Sequence, residues 1–160
     1  MTKTALITGG SKGIGLAIAK GFAAEGYALK LVARQPESLE LAKQELLKEF
    51  NIPVQTYALN LSVEQDLEKL TPAFSDVAVL VNSAGAIGRG SLLDINPKEF
   101  RDGWDGKVMS TIMLSRAACA QMYPRQSGVI INIIGIAGDR LNSKSIGTSA
   151  ANAALIAFTK

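Results

Sequence analysis

The sequence has 160 residues, of which 48% are hydrophobic and 19% are charged, and this balance predicts one globular domain spanning residues 1–160. The net charge of +3 comes from scattered lysines and arginines, and the lack of a basic cluster with interleaved aromatic residues argues against a nucleic-acid partner. The sequence has no histidine, a single cysteine and no apolar run of membrane-spanning length, which argues against His-based catalysis, an internal disulfide and a membrane partner.

Short apolar runs alternate with longer amphipathic segments along the chain. The apolar runs predict five strands, at 4–8, 28–33, 54–59, 77–82 and 128–134. The other segments predict helices at 14–25, 36–50, 63–74, 97–122 (with a break near 103–106) and from 149 to the last residue. This alternation predicts a doubly wound α/β fold of three layers, with helices on both faces of a parallel sheet. Because the runs at 4–8, 77–82 and 128–134 are apolar throughout, we expect these strands to be buried on both sides.

Helical spacing also predicts which side chains face the core. The predicted apolar face of the first helix is formed by Ile14, Ala17, Ile18, Gly21 and Phe22, and that of the second helix by Leu39, Ala42, Leu46 and Leu47. Cys119 lies in an apolar helical stretch, which predicts a small, buried core side chain rather than a reactive thiol.

A glycine-rich segment, TGGSKGIG, connects the first predicted strand to the first predicted helix. In this position Gly9 permits a tight turn, Gly13 lets the backbone approach a pyrophosphate, and Gly15 lets the helix pack close to the strand. The helix start offers free N–H groups to phosphates. We therefore expect a dinucleotide to bind at Gly9, Ser11, Lys12, Gly13, Ile14 and Gly15, the alternative being a purely structural turn.

The end of the second strand predicts which dinucleotide is bound. A carboxylate there would bind the adenosine ribose of NAD, whereas this sequence has Arg34, with Lys12 nearby in the glycine segment. Two cations favour the 2′-phosphate of NADP, because arginine pairs with phosphate through parallel hydrogen bonds. NAD stays open as a cofactor, since both residues are also compatible with ordinary solvated charges.

Together these residues resemble the short-chain dehydrogenase/reductase family over the whole chain. The glycine segment resembles that family's T-G-x-x-x-G-x-G motif, and Asn82-Ser83-Ala84-Gly85 resembles its N-N-A-G motif. Asn60-Leu61-Ser62 resembles a D-L/V-S segment that meets the adenine, with Asn60 replacing the aspartate. The resemblance implies a Rossmann fold and adds Asn60, Leu61, Asn82, Ala84 and Gly85 to the cofactor-binding residues.

The resemblance further implies hydride transfer between a nicotinamide and a small-molecule carbonyl or alcohol, aided by a Ser, a Tyr, a Lys and an Asn. At those four positions this sequence has Gly135, Thr148, Asn152 and Lys107. The threonine hydroxyl has too high a pKa to replace the phenol, and Asn152 retains only the ability to bond a ribose hydroxyl. Lys107 is a candidate cation or proton donor, although an exposed helical lysine is the commoner case.

Two hypotheses follow for function. The first is an NADP-dependent oxidoreductase with an unusual catalytic set, and the second is a non-catalytic dinucleotide-binding module that acts as a sensor or assembly partner. Family members continue beyond the length of this chain into the segments that set substrate specificity. The resemblance also implies a homo-oligomer through the 97–122 region and the last helix, with apolar Met109, Ile112, Met113 and Ala117. No secretion signal is evident, which predicts a cytoplasmic location.

Overall fold

The computed structural model describes residues 2–140 and 143–160. The strands are Thr4–Thr8 (β1), Ala28–Ala33 (β2), Val54–Ala58 (β3), Val77–Asn82 (β4) and Val129–Asn132 (β5). The α-helices are Gly13–Ala24 (α1), Pro36–Glu49 (α2), Glu64–Leu70 (α3), Pro97–Trp104 (α4), Ser110–Met122 (α5) and Ile146–Thr159 (α6).

The five strands form one parallel sheet in the order β3-β2-β1-β4-β5. The chain builds outward from β1 to β3, returns to place β4 on the other side of β1, and continues to β5. Alternate side chains of β1 face opposite layers: Ile7 packs in a core cluster with residues of α1 and α2, whereas Leu6 packs with residues of α3 and α5. The predicted doubly wound α/β fold is therefore confirmed. The strand order reverses between β1 and β4, where ligands bind in folds of this class.

The long helical region is interrupted where glycines predicted a break. A π-helical turn, Asp105–Met109, separates α4 from α5. The predicted helix at 63–74 is likewise divided, since α3 ends at Leu70 and Thr71–Phe74 form a 3-10 turn that contains Pro72. The last helix begins at Ile146, three residues before its predicted start, and packs against the π-helical turn and α4 through Ala151 and Leu155.

Four predictions about burial were wrong in whole or in part. Strand β5 is half exposed, with Val129 at 53% and Ile131 at 38%, because it is the edge strand of the described sheet. In α1 the predicted Ile18 and Phe22 do pack, partly buried, against the core, but Ile14 is 65% exposed and Ala17 and Gly21 are also exposed. The buried positions are Gly15, Ala19 and Ala23. The fully buried residues of α1 are therefore small, and at Gly15 the helix lies too close to the Gly9 carbonyl for any side chain.

Cys119 is exposed, so the expectation of a buried core thiol was also wrong. The buried positions of α5 are its neighbours at helical spacing, Ser115, Ala118 and Met122, which leaves Cys119 on the outer side. In α2, Leu39, Ala42 and Leu46 are buried as predicted, but Leu47 is 47% exposed. Within the described residues, no helix combines the length and the apolar character that crossing a membrane requires.

A buried lysine ties the sheet to the segment before β4. Lys30 of β2 is 8% exposed, and its Nζ donates to the carbonyl of Ala73 at 2.7 Å and to Asp76 Oδ1 at 2.5 Å. The other carboxylate oxygen of Asp76 accepts from the Thr4 hydroxyl at 2.9 Å. Burial tends to raise the pKa of Asp76, but the hydrogen bonds from Lys30 and Thr4 outweigh it and hold the pKa below its ordinary value.

Candidate functional site

A cleft of about 650 Å³ runs along the carboxyl ends of the strands. The segments that follow β2 and β3 form one half of it, and those that follow β4 and β5 form the other. The glycine-rich segment after β1 lies between the two halves. The cleft therefore occupies the point of strand-order reversal at which α/β folds of this type bind their ligands.

The glycine-rich segment adopts a turn that the start of α1 overlies closely. A Cβ atom at Gly15 would lie 2.2 Å from the carbonyl oxygen of Gly9, a distance that only the absence of a side chain permits. Gly15 therefore has the close-packing role that its position predicted. Lys12 is the N-cap residue of α1, and in the described chain no side chain caps this helix end. Its first N–H groups are consequently available to an anion.

Most of the predicted cofactor residues line this one cleft. The lining includes Gly9, Ser11, Lys12, Ile14, Gly15, Arg34, Asn60, Leu61, Ala84 and Gly85. Gly13 is absent from the lining, although its φ of +56° and the open space around it place it in the same exposed turn. Asn82 also lies outside the described lining, because it is 5% exposed at the end of β4.

Asn82 connects β4 to its neighbours through side-chain hydrogen bonds. Its Nδ2 donates to the Ser115 hydroxyl at 3.2 Å and to Asn132 Oδ1 at 2.9 Å, which links β4 to α5 and to β5. The Thr8 hydroxyl provides a second link, since it accepts from the backbone N–H groups of Ser83 and Ala84, both at 3.0 Å. These bonds fix the backbone after β4 where it borders the cleft.

The segment after β3 is also held by local hydrogen bonds. Asn60 Oδ1 accepts from both the N–H and the hydroxyl of Ser62, and the Asn60 N–H donates to Asp66 at 2.9 Å. A hydrogen bond from Lys69 and this backbone bond lower the pKa of Asp66, which keeps the carboxylate charged. Because the Asn60 oxygen is already engaged, its amide N–H groups are what remains for an adenine edge.

Among the described residues, the charged side chains that line the cleft are Lys12, Arg34, Asp102 and Lys107. Asp102 accepts a hydrogen bond from Lys98 at 2.6 Å, so a cation outside the cleft already balances its charge. The cleft therefore has a positive balance that suits an anionic ligand. Other residues in the lining, such as Gln35, Ile133 and Ile134, were not predicted to belong to the site. The sequence pattern placed Gln35 in a loop and the two isoleucines in a strand, and it carried no further signal for a binding role.

Two of the three residues at the family's Ser, Tyr and Lys positions lie outside the lining. Thr148 donates its hydroxyl to the carbonyl of Ile87 at 3.3 Å, and Asn152 is 1% exposed. The Asn152 amide packs against Gly135, where a Cβ would lie 2.9 Å from Asn152 Nδ2, and the backbone and Cβ of Asn152 pack against Gly138. Its Oδ1 is buried with no hydrogen-bond partner among the described residues. Asn152 is thus enclosed and lies outside the cleft lining, so the amide is not placed to bond a ribose hydroxyl there.

Lys107 has a different environment. It is half-buried in the π-helical turn and lines the cleft beside Gly85 and Gly106. Burial lowers the pKa of its ammonium group from the ordinary value. The expectation of an exposed helical lysine was therefore wrong, and the alternative, a lysine that faces the cleft, agrees with the structure.

Comparison with known proteins places the chain in a family. The family model for short chain dehydrogenase matches residues 3–160. The 3-oxoacyl-[acyl-carrier-protein] reductase of Escherichia coli K12 is 32% identical over 158 residues, which cover 99% of this chain and 65% of the relative. An uncharacterized oxidoreductase of Staphylococcus epidermidis is 27% identical over 162 residues, 99% of this chain and 69% of the relative.

Solved structures agree with this result. The structure of L-sorbose reductase from Gluconobacter frateurii, complexed with NADPH and L-sorbose, is 30% identical with a TM-score of 0.92 and covers 98% of this chain. The match spans 61% of that protein, so the present chain corresponds to less than two thirds of its length. From the sequence match, the cleft and these comparisons, we conclude that the chain belongs to the short chain dehydrogenase family.

Proposed function

We propose that this chain binds NADP(H) in the cleft and forms the dinucleotide-binding part of an oxidoreductase that acts on a small-molecule carbonyl or alcohol. The observation that carries the proposal is the placement of Arg34 and Lys12 in a single cleft with the glycine-rich turn. Support also comes from the L-sorbose reductase, a relative at 30% identity that was solved with NADPH.

The described residues fit such a cofactor. The contact between Gly15 and Gly9 leaves the N-terminus of α1 next to the turn, where its N–H groups would hold the pyrophosphate. Arg34 and Lys12 would hold the 2′-phosphate, and the Asn60 amide would meet the adenine. Ala84 and Gly85 would border the remaining part of the dinucleotide, while Asn82 would act from behind by fixing the β4 terminus.

The bound nicotinamide would supply or accept the hydride. Among the described residues, no tyrosine lines the half of the cleft that follows β4 and β5, and Gly135 contributes only backbone atoms there. Thr148 and Asn152 are engaged elsewhere or enclosed, so neither would exchange a proton with a substrate. Of the residues that the structure describes, the charged side chains that border this half are Asp102 and Lys107. Because Asp102 is negatively charged and paired with Lys98, we assign the stabilisation of negative charge there to Lys107.

The cofactor assignment is tested with Arg34→Asp. We expect the variant to bind NADPH about tenfold or more weakly and NADH no worse than the unaltered chain, because a charge-assisted phosphate contact contributes about 1.5–3 kcal/mol. Titration calorimetry measures both affinities, and Arg116→Asp, at an exposed arginine of α5 outside the cleft lining, controls for the change in net charge. Equal loss for the two nucleotides, or no loss for either, would refute the assignment of Arg34.

A second function, a dinucleotide-binding module without turnover, is favoured by the enclosure of Asn152 and the missing side chain at Gly135. The two functions differ in NADPH oxidation with a panel of ketones and aldehydes, measured on the protein in its natural full length. Turnover that Lys107→Met abolishes supports the oxidoreductase. Tight NADPH binding with no turnover on any member of the panel supports the module.

A further inference from the structure

Lys107 is a half-buried cation whose charge has no partner among the described residues. In the described chain its ammonium makes no ion pair or hydrogen bond, whereas Lys20, Lys30, Lys69 and Lys98 are each paired with an acid. The nearby acid in the cleft lining, Asp102, is itself paired with Lys98. Keeping an ammonium half-buried without a counter-charge is unfavourable, and a ligand anion would remove that cost.

The position of Lys107 is fixed by backbone packing rather than by polar contacts. A Cβ at Gly85 would lie 2.7 Å from both Cα and Cβ of Lys107 and 2.6 Å from the carbonyl of Gly106. The π-helical turn therefore lies directly against the chain that follows β4. A larger residue than glycine at position 85 would push the turn, and with it the lysine, away from the cleft.

Lys107 and Arg34 belong to opposite halves of the cleft. Arg34 follows β2, whereas the chain against which Lys107 packs follows β4, and β1 with its glycine-rich turn lies between these strands. The proposed function assigns Arg34 and Lys12 to the 2′-phosphate, which leaves Lys107 for a different anion. Gly85 and Gly106 lie beside it, and the cleft lining also includes Gly135 and the partly buried Ile133 and Ile134, a composition that suits an organic group with one negative charge.

We infer that Lys107 binds the carboxylate of an organic substrate, so that the substrates of this protein are anionic oxo acids or hydroxy acids rather than neutral carbonyl compounds. This inference rests on the proposed function, since it assigns the substrate class of the same cleft. It gives the lysine a binding role, in which charge pairing with a carboxylate orients the carbonyl toward the centre of the cleft.

Trp104 provides a direct measurement that does not depend on turnover. It is the single tryptophan of the chain, it precedes Lys107 by one helical turn, and its ring stacks on Phe100 with centroids 5.9 Å apart. Binding of an anion beside Lys107 is expected to change its fluorescence. The probes are levulinate, a keto acid, and methyl levulinate, the same ketone without the charge.

We expect saturable binding of levulinate with and without NADP+, and at least tenfold weaker binding of the methyl ester. Lys107→Met, which keeps most of the side-chain volume, should lose the preference for the carboxylate, and Lys107→Arg should retain it. Lys48→Met, at an exposed lysine of α2 outside the lining, should behave like the unaltered chain. NADPH affinity, measured by calorimetry, should change less than threefold in Lys107→Met.

The outcomes separate the two proposals. NADPH binding together with no levulinate binding, or with levulinate binding that is equal in Lys107→Met, overturns the inference alone. A tenfold loss of NADPH affinity in Lys107→Met also overturns it, since the cofactor would then be the partner of the lysine. Levulinate binding that depends on Lys107 in a chain that does not bind NADPH supports the carboxylate site and rejects the proposed cofactor.

Discussion

Replacing Gly135 with alanine is expected to destabilise the protein through one identifiable contact. The new methyl group would lie 2.9 Å from Nδ2 of Asn152, a distance at which one of the two groups must move. The Asn152 amide has little room, because the residue is 1% exposed and its backbone lies against Gly138. Overpacking of this kind costs about 1–3 kcal/mol in the free energy of unfolding.

A double-mutant cycle isolates that contact. Asn152→Ala removes the amide, and because the buried Oδ1 has no partner among the described residues, we expect this variant to lose less stability than removal of a fully bonded amide would. In Gly135→Ala with Asn152→Ala, the new methyl group occupies the vacated space. The coupling energy should then be on the order of 1 kcal/mol in favour of the double variant.

The four proteins are compared by urea denaturation, followed by the fluorescence of Trp104 and by circular dichroism. The slope of the transition must stay constant for the comparison to report on stability alone. If the two single changes add to within about 0.5 kcal/mol, Gly135 and Asn152 are independent and the packing argument fails.

Three further predictions rest on other contacts. Gly15→Ala should lower the free energy of unfolding by well over 1 kcal/mol, because its methyl group would overlap the Gly9 carbonyl. Gly21→Ala, in open space on the same helix, should raise it by about 0.5–1 kcal/mol. Chemical denaturation measures both variants, and equal effects would contradict the packing of α1. Asp76→Asn should cost about 1–3 kcal/mol at neutral pH by leaving Lys30 without its carboxylate. Because the pKa of Asp76 is lowered in the folded state, its contribution to stability is present above about pH 4 and is lost as the pH falls through the folded-state pKa. In thermal melts from pH 7 to pH 2, the melting temperature of the variant should therefore fall less steeply with acid than that of the unaltered chain. The same pH dependence in both proteins would refute the pairing. Finally, Cys119 should react with a thiol reagent in the native state at a rate close to that in urea, and full protection would contradict its exposure.

The sheet and the glycine-rich turn were predictable because each leaves a local signature. A strand buried on both faces needs a continuous apolar run, and the burial of every residue in β1 agrees with that rule. The close approach of α1 to the turn requires glycine at position 15, and the sequence meets that requirement. Where one residue type satisfies one local demand, sequence reasoning is sufficient.

The failed predictions concern relations between distant parts of the chain. The apolar run that forms β5 gives no sign that the strand lies at an edge of the described sheet, since edge position depends on topology. In α1, hydrophobicity pointed to Ile14, whereas the fully buried positions are the small residues Gly15, Ala19 and Ala23. The prediction for Cys119 failed for a related reason. It is the next residue after the buried Ala118, and its position on the helix surface depends on how α5 is rotated against the sheet.

The residues at the family's Ser and Lys positions are both replaced in this chain, and their packing explains why the two replacements belong together. Asn152 of α6 fits against the segment that follows β5 only because positions 135 and 138 are glycine. Glycine at the family's Ser position and asparagine at its Lys position therefore accommodate each other. A serine restored at position 135 would meet the Asn152 amide before it met a substrate. Restoring the family's Ser at position 135 therefore also requires a change at position 152. The half of the cleft that contains the glycine-rich turn, Arg34 and Lys12 does not depend on these two positions. Any reaction in this cleft must depend on other groups, and of the two described charged side chains that line the other half, Asp102 is paired with Lys98 whereas Lys107 is not paired with an acid.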